Sequence, residues 1–270
     1  MEKNKYKTGL VLSGGGARGF AHLGVIQALN EAGIFPEVIS GTSSGAIAGV
    51  LYCDGYKPMD ILAIMKTDSR LNYMRPTMPR YGILQISGIA RILESHLRAK
   101  TFEDLKLPLY VATTNLNYGR IEYFSSGELI MPIIASSSIP VLFKPVIMGN
   151  DSYVDGGVMD NLPIKPIEDL CSYFIGSFVN PSGHQKEFSG LIDIAERTFI
   201  LNLYKEALEK SKNFDLYIAP AELRKFSILS TEKAEEVFNI GYEATKTALD
   251  KTGFLKALFP QSEKENKQAS

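Results

Sequence analysis

The sequence predicts an α/β fold built on a parallel sheet. From Thr8 to Tyr52 strand-like and helix-like segments alternate, and the strand-like runs are short, apolar and end in glycine-rich turns that lead straight into helical patterns. Apolar residues make up 45% of the 270 positions, enough to cover such a sheet with a substantial core.

Thr8 to Ser13 reads as a buried strand that stops at Gly14-Gly15-Gly16. Ala17 to Ala32 follows as a helix, with Ala21, Val25, Ala28 and Leu29 at helical spacing and Gly33 as its stop. After Pro36, Val38-Ile39 begins a second strand, which ends in Gly41-Thr42-Ser43-Ser44-Gly45 and enters an Ala/Ile/Val/Leu helix up to Tyr52. Pro58 to Met65 and Ser87 to Leu97 are helical; Asn72 to Tyr81 between them, rich in Pro, Arg, Met and Tyr, reads as a flexible cover. Leu107 to Leu116 and Arg120 to Phe124 are strands joined through Gly119, with a helix from Glu128 to Ala135 behind them. Pro145 to Ile147 and Ser152 to Val154 flank Gly149-Asn150-Asp151 as a hairpin. A strand at Tyr173 to Val179, a helix at Ile192 to Lys210, a strand at Phe214 to Ala219 and a helix at Thr231 to Lys251 complete the series. With no repeat and no linker, residues 1–260 are expected to form a single domain and Gln261 to Ser270 a polar, disordered tail.

Composition narrows the function. The 29 basic and 30 acidic side chains leave a net charge of −1, against the basic excess of a general nucleic-acid binder. Cys53 and Cys171 cannot build a disulfide framework, and neither has His or Cys neighbours at metal-ligand spacing. The apolar run Leu10-Val11-Leu12 is too short for a signal-peptide core, and no run approaches the roughly 18 residues of a spanning helix. The expectation is a cytoplasmic protein, peripheral contact with a membrane surface being an option. Tyr73, Met74, Met78 and Tyr81 with Arg75 and Arg80, and Phe254, Leu255, Leu258 and Phe259 with Lys251 and Lys256, are the two candidate interfacial elements.

Gly14 to Gly19 spells G-x-G-x-x-G between a strand and a helix. A dinucleotide site would need an acidic residue at the end of the second strand, where Gly41-Thr42-Ser43 stands instead. A phosphate-binding P-loop would need Lys and Ser/Thr where Phe20-Ala21 stand. What survives is a loop whose backbone amides, backed by a helix N-terminus, can hold a developing anion. Gly41-Thr42-Ser43-Ser44-Gly45 matches G-x-S-x-G in the strand-to-helix setting of a nucleophile turn, although a bare match of this kind can also be a simple helix cap. Its serine needs a base. Of the three histidines, His22 lies inside the first helix, His96 ends a middle helix, and His184 sits in a polar loop, where the order Ser43, Asp155, His184 would still permit a triad. Asp155-Gly156-Gly157, leaving the hairpin, is the stronger candidate: an Asp fixed against Ser43 and shielded from water could serve. Asp151 and Asp160 read as structural or solvated.

These motifs resemble the patatin-like phospholipases, lipid acyl hydrolases with a Ser-Asp dyad. The resemblance rests on Gly14 to Gly19 as an oxyanion loop, Gly41 to Gly45 as a nucleophile elbow, Asp155-Gly156-Gly157 as a D-G-[GA] motif, and Ala135-Ser136-Ser137-Ser138-Ile139-Pro140 as an A-S-x-x-x-P segment; it weakens after about Val179. It implies a three-layer α/β/α fold with a mostly parallel central sheet. It further implies that Ser43 attacks an acyl ester with Asp155 as base, that Gly14, Gly15, Gly16 and Ser44 supply the oxyanion hole, and that Gly41 and Gly45 shape the elbow as Gly156 and Gly157 shape the aspartate turn. Arg18 is carried over as a substrate-binding residue meeting a phosphate or carboxylate, or as a brace for the loop. No metal, cofactor or histidine is implied. The expected partner is a lipid or acyl-ester substrate, phospholipid or lysophospholipid, with no nucleic acid; oligomeric state is not set by the sequence. The alternatives are a non-catalytic lipid-binding or regulatory scaffold of the same fold and a general carboxylesterase.

Overall fold

The computed structural model describes residues 5–69, 75–76, 84–85, 87–184, 187–188, 190–229 and 231–260. Strands β1 (Tyr6–Leu12) and β2 (Val38–Thr42) alternate with helices α1 (Phe20–Glu31) and α2 (Ser44–Cys53), followed by α3 (Pro58–Ser69). The short pair β3 (Arg75–Pro76) and β4 (Leu84–Gln85) precedes α4 (Ser87–His96). Then come β5 (Leu109–Asn115), β6 (Arg120–Phe124), α5 (Ile130–Ser136), β7 (Val146–Met148), β8 (Asp151–Asp155) and β9 (Cys171–Ser177). The chain continues through α6 (Leu191–Lys210), β10 (Leu216–Ile218), α7 (Ala234–Thr252) and α8 (Phe254–Leu258).

Five strands, in the order β10-β9-β1-β2-β5, run parallel, and β6, β7 and β8 join antiparallel beyond them. The central strands are apolar on both faces, as a sheet covered by helices on both sides requires. On β1, Leu10 and Leu12 enter the larger core with α1, α2 and α7, while Val11 between them enters a second cluster with Val38, Ile164 and Ile167. That second face is covered by the 162–170 segment and by α6, whose Tyr204 meets Phe178 at a ring-centroid distance of 6.4 Å. The fold is the layered α/β/α arrangement expected, with a mostly parallel sheet.

The register of β5 is the feature that builds the site. Along one edge β6 pairs continuously with Val111 to Asn115. The other edge is shared: β2 arrives with Thr42 opposite Ala112, and β8 arrives from the opposite direction with Asp155 opposite Thr113. Two strands far apart in sequence therefore end nose to nose over consecutive residues of a third.

Two expectations change in detail. The last long helix begins at Ala234 rather than Thr231. The apolar residues after it are not an interfacial patch: Phe254 and Leu258 of α8 are buried in the larger core, Phe254 edge-on to Tyr173 at 6.1 Å, and only Phe259 is substantially exposed. A short amphipathic turn looks the same in sequence whether its apolar side meets a membrane or its own sheet. The other interfacial candidate, residues 72–81, lies outside the described residues except for Arg75 and Pro76, and the tail from residue 261 lies wholly outside them. Among the described residues no helix is long and apolar enough to cross a membrane.

Helices α1 and α7 approach so closely that a methyl group on Gly241 would fall 2.1 Å from the Ala21 carbonyl oxygen, and one on Gly24 2.0 Å from that of Phe238. Backbone cannot yield there as a side chain would. Gly241→Val is expected to cost about 3 kcal/mol or more and to lower the thermal midpoint by several degrees in a calorimetric melt; an unchanged midpoint would show that the helices separate freely.

Candidate active site

Ser43 stands between the last residue of β2 and the first of α2, with φ 53° and ψ −121°, a left-handed backbone that a non-glycine residue rarely adopts. The turn can be this tight because Gly45 packs on β1, where an added Cβ would lie 2.3 Å from the Leu12 carbonyl oxygen. The Ser43 N–H donates to Ser136 Oγ at 2.8 Å. Ser138, two residues on, accepts the Asp155 N–H on its carbonyl at 2.9 Å. The 135–140 segment therefore holds both candidate residues by their backbones, a role its resemblance to A-S-x-x-x-P did not reveal.

Asp155 is fully enclosed at the end of β8. Thr114 Oγ1 donates to its carbonyl at 3.0 Å, and the Gly157 N–H donates to Oδ1 at 2.8 Å. Oδ2 is buried and makes no hydrogen bond of good geometry. Burial lifts the carboxyl pKa to about 7, against the opposing pull of the Ser43 hydroxyl and the Gly157 amide. The hydroxyl thus faces the carboxyl closely enough to perturb it, a loose contact of the kind that tightens on substrate binding.

The loop after Asp155 is braced from several sides. Asp160 accepts from Lys210 Nζ at 2.5 Å and from the Tyr123 hydroxyl at 2.6 Å, and Lys210 also donates to Glu206 at 2.5 Å. Thr42 Oγ1 donates to the Asp160 carbonyl at 2.9 Å, tying the residue before Ser43 to the loop after Asp155. Asp160 is structural, as expected of it.

The glycine loop lies against Ser43. Gly14 donates its amide to the Asn161 carbonyl at 3.3 Å, and its own carbonyl accepts from Asn180 Nδ2 at 2.5 Å. Of the amides expected to face a substrate oxygen, that of Gly14 is therefore occupied, and those of Gly15, Gly16 and Ser44 have no acceptor among the described residues. Gly16, at φ 56°, is fixed by close approach too: a Cβ there would sit 2.2 Å from the Ile228 carbonyl oxygen.

His22, Asn161 and Asn180 surround the loop from below. His22 is buried between Ser13 and Ser177; a carbonyl can only accept, so Nε2–H donates to Ser13 O and Nδ1 accepts from the Ser177 hydroxyl, each at 2.8 Å. Burial holds its pKa down at about 4, and the neutral ring clamps β1 to β9 under the loop. Asn161 is buried with neither side-chain polar atom hydrogen-bonded among the described residues, and both asparagines line a small niche of about 10 Å³ that also touches Ser43, Asp155 and the apolar Ile139, Phe199 and Leu203. Sequence reasoning missed Ser136, Asn161 and Asn180. An asparagine six residues beyond the aspartate carries no periodic signal, and Asn180-Pro181 looks like ordinary strand-end punctuation.

The remaining expected residues lie elsewhere. His184 is exposed and His96 ends α4 with Nδ1 on the Ile92 carbonyl at 3.0 Å; neither joins the Ser43 and Asp155 group. Arg18 is buried with Nε donating to the Phe226 carbonyl at 2.7 Å, and it lines a cleft that does not include Ser43. No three His, Cys, Asp or Glu side chains among the described residues converge as a metal-binding group.

Ser43 opens onto an apolar cavity of about 120 Å³, lined by Phe20 and Leu23 of α1, Ile47 of α2, Ile61 of α3, Ile139 and Phe143. A hydroxyl, a buried carboxyl poised near neutrality, free amides and a greasy slot meet at one point. Such a group can transfer an acyl chain.

The match with known proteins agrees with this geometry. The model of the patatin-like phospholipase family fits residues 10–167, and the chain belongs to that family. Lysophospholipase NTE1 of Coccidioides immitis is 30% identical over 297 residues, covering 96% of this chain and 18% of that protein. Lysophospholipase nte1 of Emericella nidulans is 29% identical over 281 residues, covering 90% of the chain and again 18% of the relative. The chain thus spans less than a fifth of the length of these relatives. Among solved structures, that of VipD from Legionella pneumophila shares the fold with a TM-score of 0.53 at 17% identity, over 92% of this chain and 67% of that one.

A carboxyl whose folded pKa, about 7, lies above its unfolded value of roughly 4 stabilises the fold while protonated. That contribution is complete below about pH 4 and is lost as pH rises through 7. Asp155→Asn is therefore expected to gain thermal stability relative to the parent chain on going from pH 5 to pH 8, measured by paired melts. Parallel pH dependences would contradict the burial argument.

Proposed function

We propose that the chain is a serine acyl hydrolase that cleaves fatty-acyl esters of lysophospholipids or phospholipids, with residues 1–260 acting as one catalytic domain. The observation that carries this reading is the buried Asp155 carboxyl, raised to about neutrality and facing the Ser43 hydroxyl beside amides with no acceptor among the described residues. The names of the fungal relatives support the lysophospholipid class, and the apolar cavity suits one acyl chain.

In the proposed reaction the ester carbonyl lies over Ser43 with its oxygen toward the amides of Gly15, Gly16 and Ser44. As Ser43 Oγ bonds to the carbonyl carbon, its proton passes to Asp155, and the carbonyl electrons become an oxyanion held by those amides. Collapse breaks the bond to the leaving alcohol, which takes the proton from Asp155 and departs, leaving acyl-Ser43. A water then gives its proton to Asp155 and its oxygen to the acyl carbon. The second collapse returns the proton to Ser43 Oγ and releases the fatty acid. The buried niche with Asn161 and Asn180 keeps Asp155 away from bulk solvent, where its pKa would return toward 4. Peripheral contact with a lipid surface belongs to the same proposal: Val141, between the cavity residues Ile139 and Phe143, is 70% exposed.

Two measurements test the assignment. A fluorophosphonate probe is expected to label the parent chain and not Ser43→Ala, which also loses lysophospholipid hydrolysis by about 10⁴-fold or more; equal labelling of the two would overturn the nucleophile, and labelling without turnover of any ester would favour the scaffold reading. Because the base works ionised, kcat/KM is expected to rise with pH and reach half its plateau near pH 7, set by Asp155. A profile flat from pH 5 to 9 would remove Asp155 from that role.

A further inference from the structure

Asn161 is fixed by its backbone and idle in its side chain. Its N–H donates to Glu206 Oε2 of α6 at 3.2 Å, and its carbonyl accepts the Gly14 N–H at 3.3 Å. The side chain lies between the two glycine motifs: a Cβ on Gly14 would fall 2.6 Å from Asn161 Oδ1, and one on Gly157 3.1 Å from it. Asn180 approaches from beyond β9, with Nδ2 on the Gly14 carbonyl and Oδ1 free of any partner among the described residues. Seven buried side-chain nitrogen and oxygen atoms among the described residues have no hydrogen-bond partner there. Four of them, Asp155 Oδ2, Asn161 Oδ1, Asn161 Nδ2 and Asn180 Oδ1, belong to residues that line the same niche of about 10 Å³. Buried polar atoms in folded proteins rarely go without partners, so this group around one small space defines a site for a small polar molecule. The volume takes one water and nothing larger.

We propose that Asn161 positions the water that hydrolyses the acyl-enzyme, and that the niche holds this water between Asn161, Asp155 and Asn180. The inference rests on the hydrolase reading given above. Ser43, Gly16, Ile139 and Ile228 line both the niche and the apolar cavity, so an acyl group on Ser43 with its chain in the cavity has its carbonyl carbon beside the niche. Asn161 Nδ2 donates to the water oxygen, and the water donates to Asp155 Oδ2 and Asn180 Oδ1, which leaves its second lone pair for the acyl carbon. As the oxygen bonds to that carbon, the proton shared with Asp155 passes to the carboxylate. The carbonyl electrons then return, the bond between the acyl carbon and Ser43 Oγ breaks, Asp155 gives the proton to Oγ, and the fatty acid leaves. Ile139, Phe199 and Leu203 close the niche with apolar surface, so the water answers to these side chains and not to bulk solvent. Asn161 thus serves the second half of the reaction; attack of Ser43 on the ester does not use it.

Asn161→Leu separates the two halves, since it breaks no side-chain hydrogen bond within the described residues and removes the donor to the water. With a p-nitrophenyl fatty-acyl ester as substrate, the parent chain and Asn161→Leu are expected to react with a fluorophosphonate probe at equal rates and to keep equal kcat/KM, which reports formation of the acyl-enzyme. The variant's kcat and KM are expected to fall together by about a hundredfold, with a stoichiometric burst of p-nitrophenol and with acyl-Ser43 accumulating in intact-mass spectra. Asn161→Ala, which adds no bulk against Gly14 and Gly157, is expected to show the same split and decides the matter should Asn161→Leu not fold. A fall in kcat/KM matching the fall in kcat, with no acyl-Ser43, would overturn the proposal, and so would an unchanged kcat. Failure of the hydrolase reading would be visible in the parent chain itself, as no labelling of Ser43 and no release of p-nitrophenol.

Discussion

The site depends on one edge of one strand. Because β6 pairs with Val111 to Asn115 along one side of β5, β2 and β8 share the other, and they meet there end to end, Thr42 over Ala112 and Asp155 over Thr113. Sheet hydrogen bonds bring together a hydroxyl and a carboxyl more than a hundred residues apart. The serine-rich 135–140 segment and the Thr42 to Asp160 bond then fix the two backbones from above and below.

Around that junction polar groups are either paired or kept waiting. His22, Asp160 and Lys210 are satisfied and structural, whereas Asp155 Oδ2, Arg18 Nη1 and the side chain of Asn161 are buried with no hydrogen bond of good geometry among the described residues. Most buried polar atoms in folded proteins find partners, so a concentration of exceptions beside a strained serine marks where folding energy has been given up. Asp155 shows the exchange most directly: the burial that raises its pKa makes the ionised fold less stable and the carboxylate a better base.

Much of this was legible in the sequence, and the reasons differ by residue. Glycine-rich turns after apolar strands identified both the loop and the elbow, because a tight turn needs specific residues at fixed spacing. The order of the elements, and the pairing of Ser43 with Asp155, followed from those motifs and the resemblance they carry. The shared edge of β5 was not legible, since register between distant strands leaves no local trace. Nor was the spent amide of Gly14, which depends on where Asn161 and Asn180 fold back. Phe254 and Leu258 misled for a physical reason: amphipathic spacing says that one side is buried, not what buries it.

The end-to-end meeting of β2 and β8 also frees the intervening chain. What holds serine against aspartate is the sheet hydrogen bonding to β5 together with the 135–140 segment and the Thr42 to Asp160 bond, so the bend at Gly119 and the hairpin tip at Gly149 carry none of that alignment. Those turns can be lengthened, trimmed or rebuilt without moving Ser43 from Asp155. Variation at the rim of the cavity can therefore accumulate in such peripheral turns while Ser43 and Asp155 stay in register.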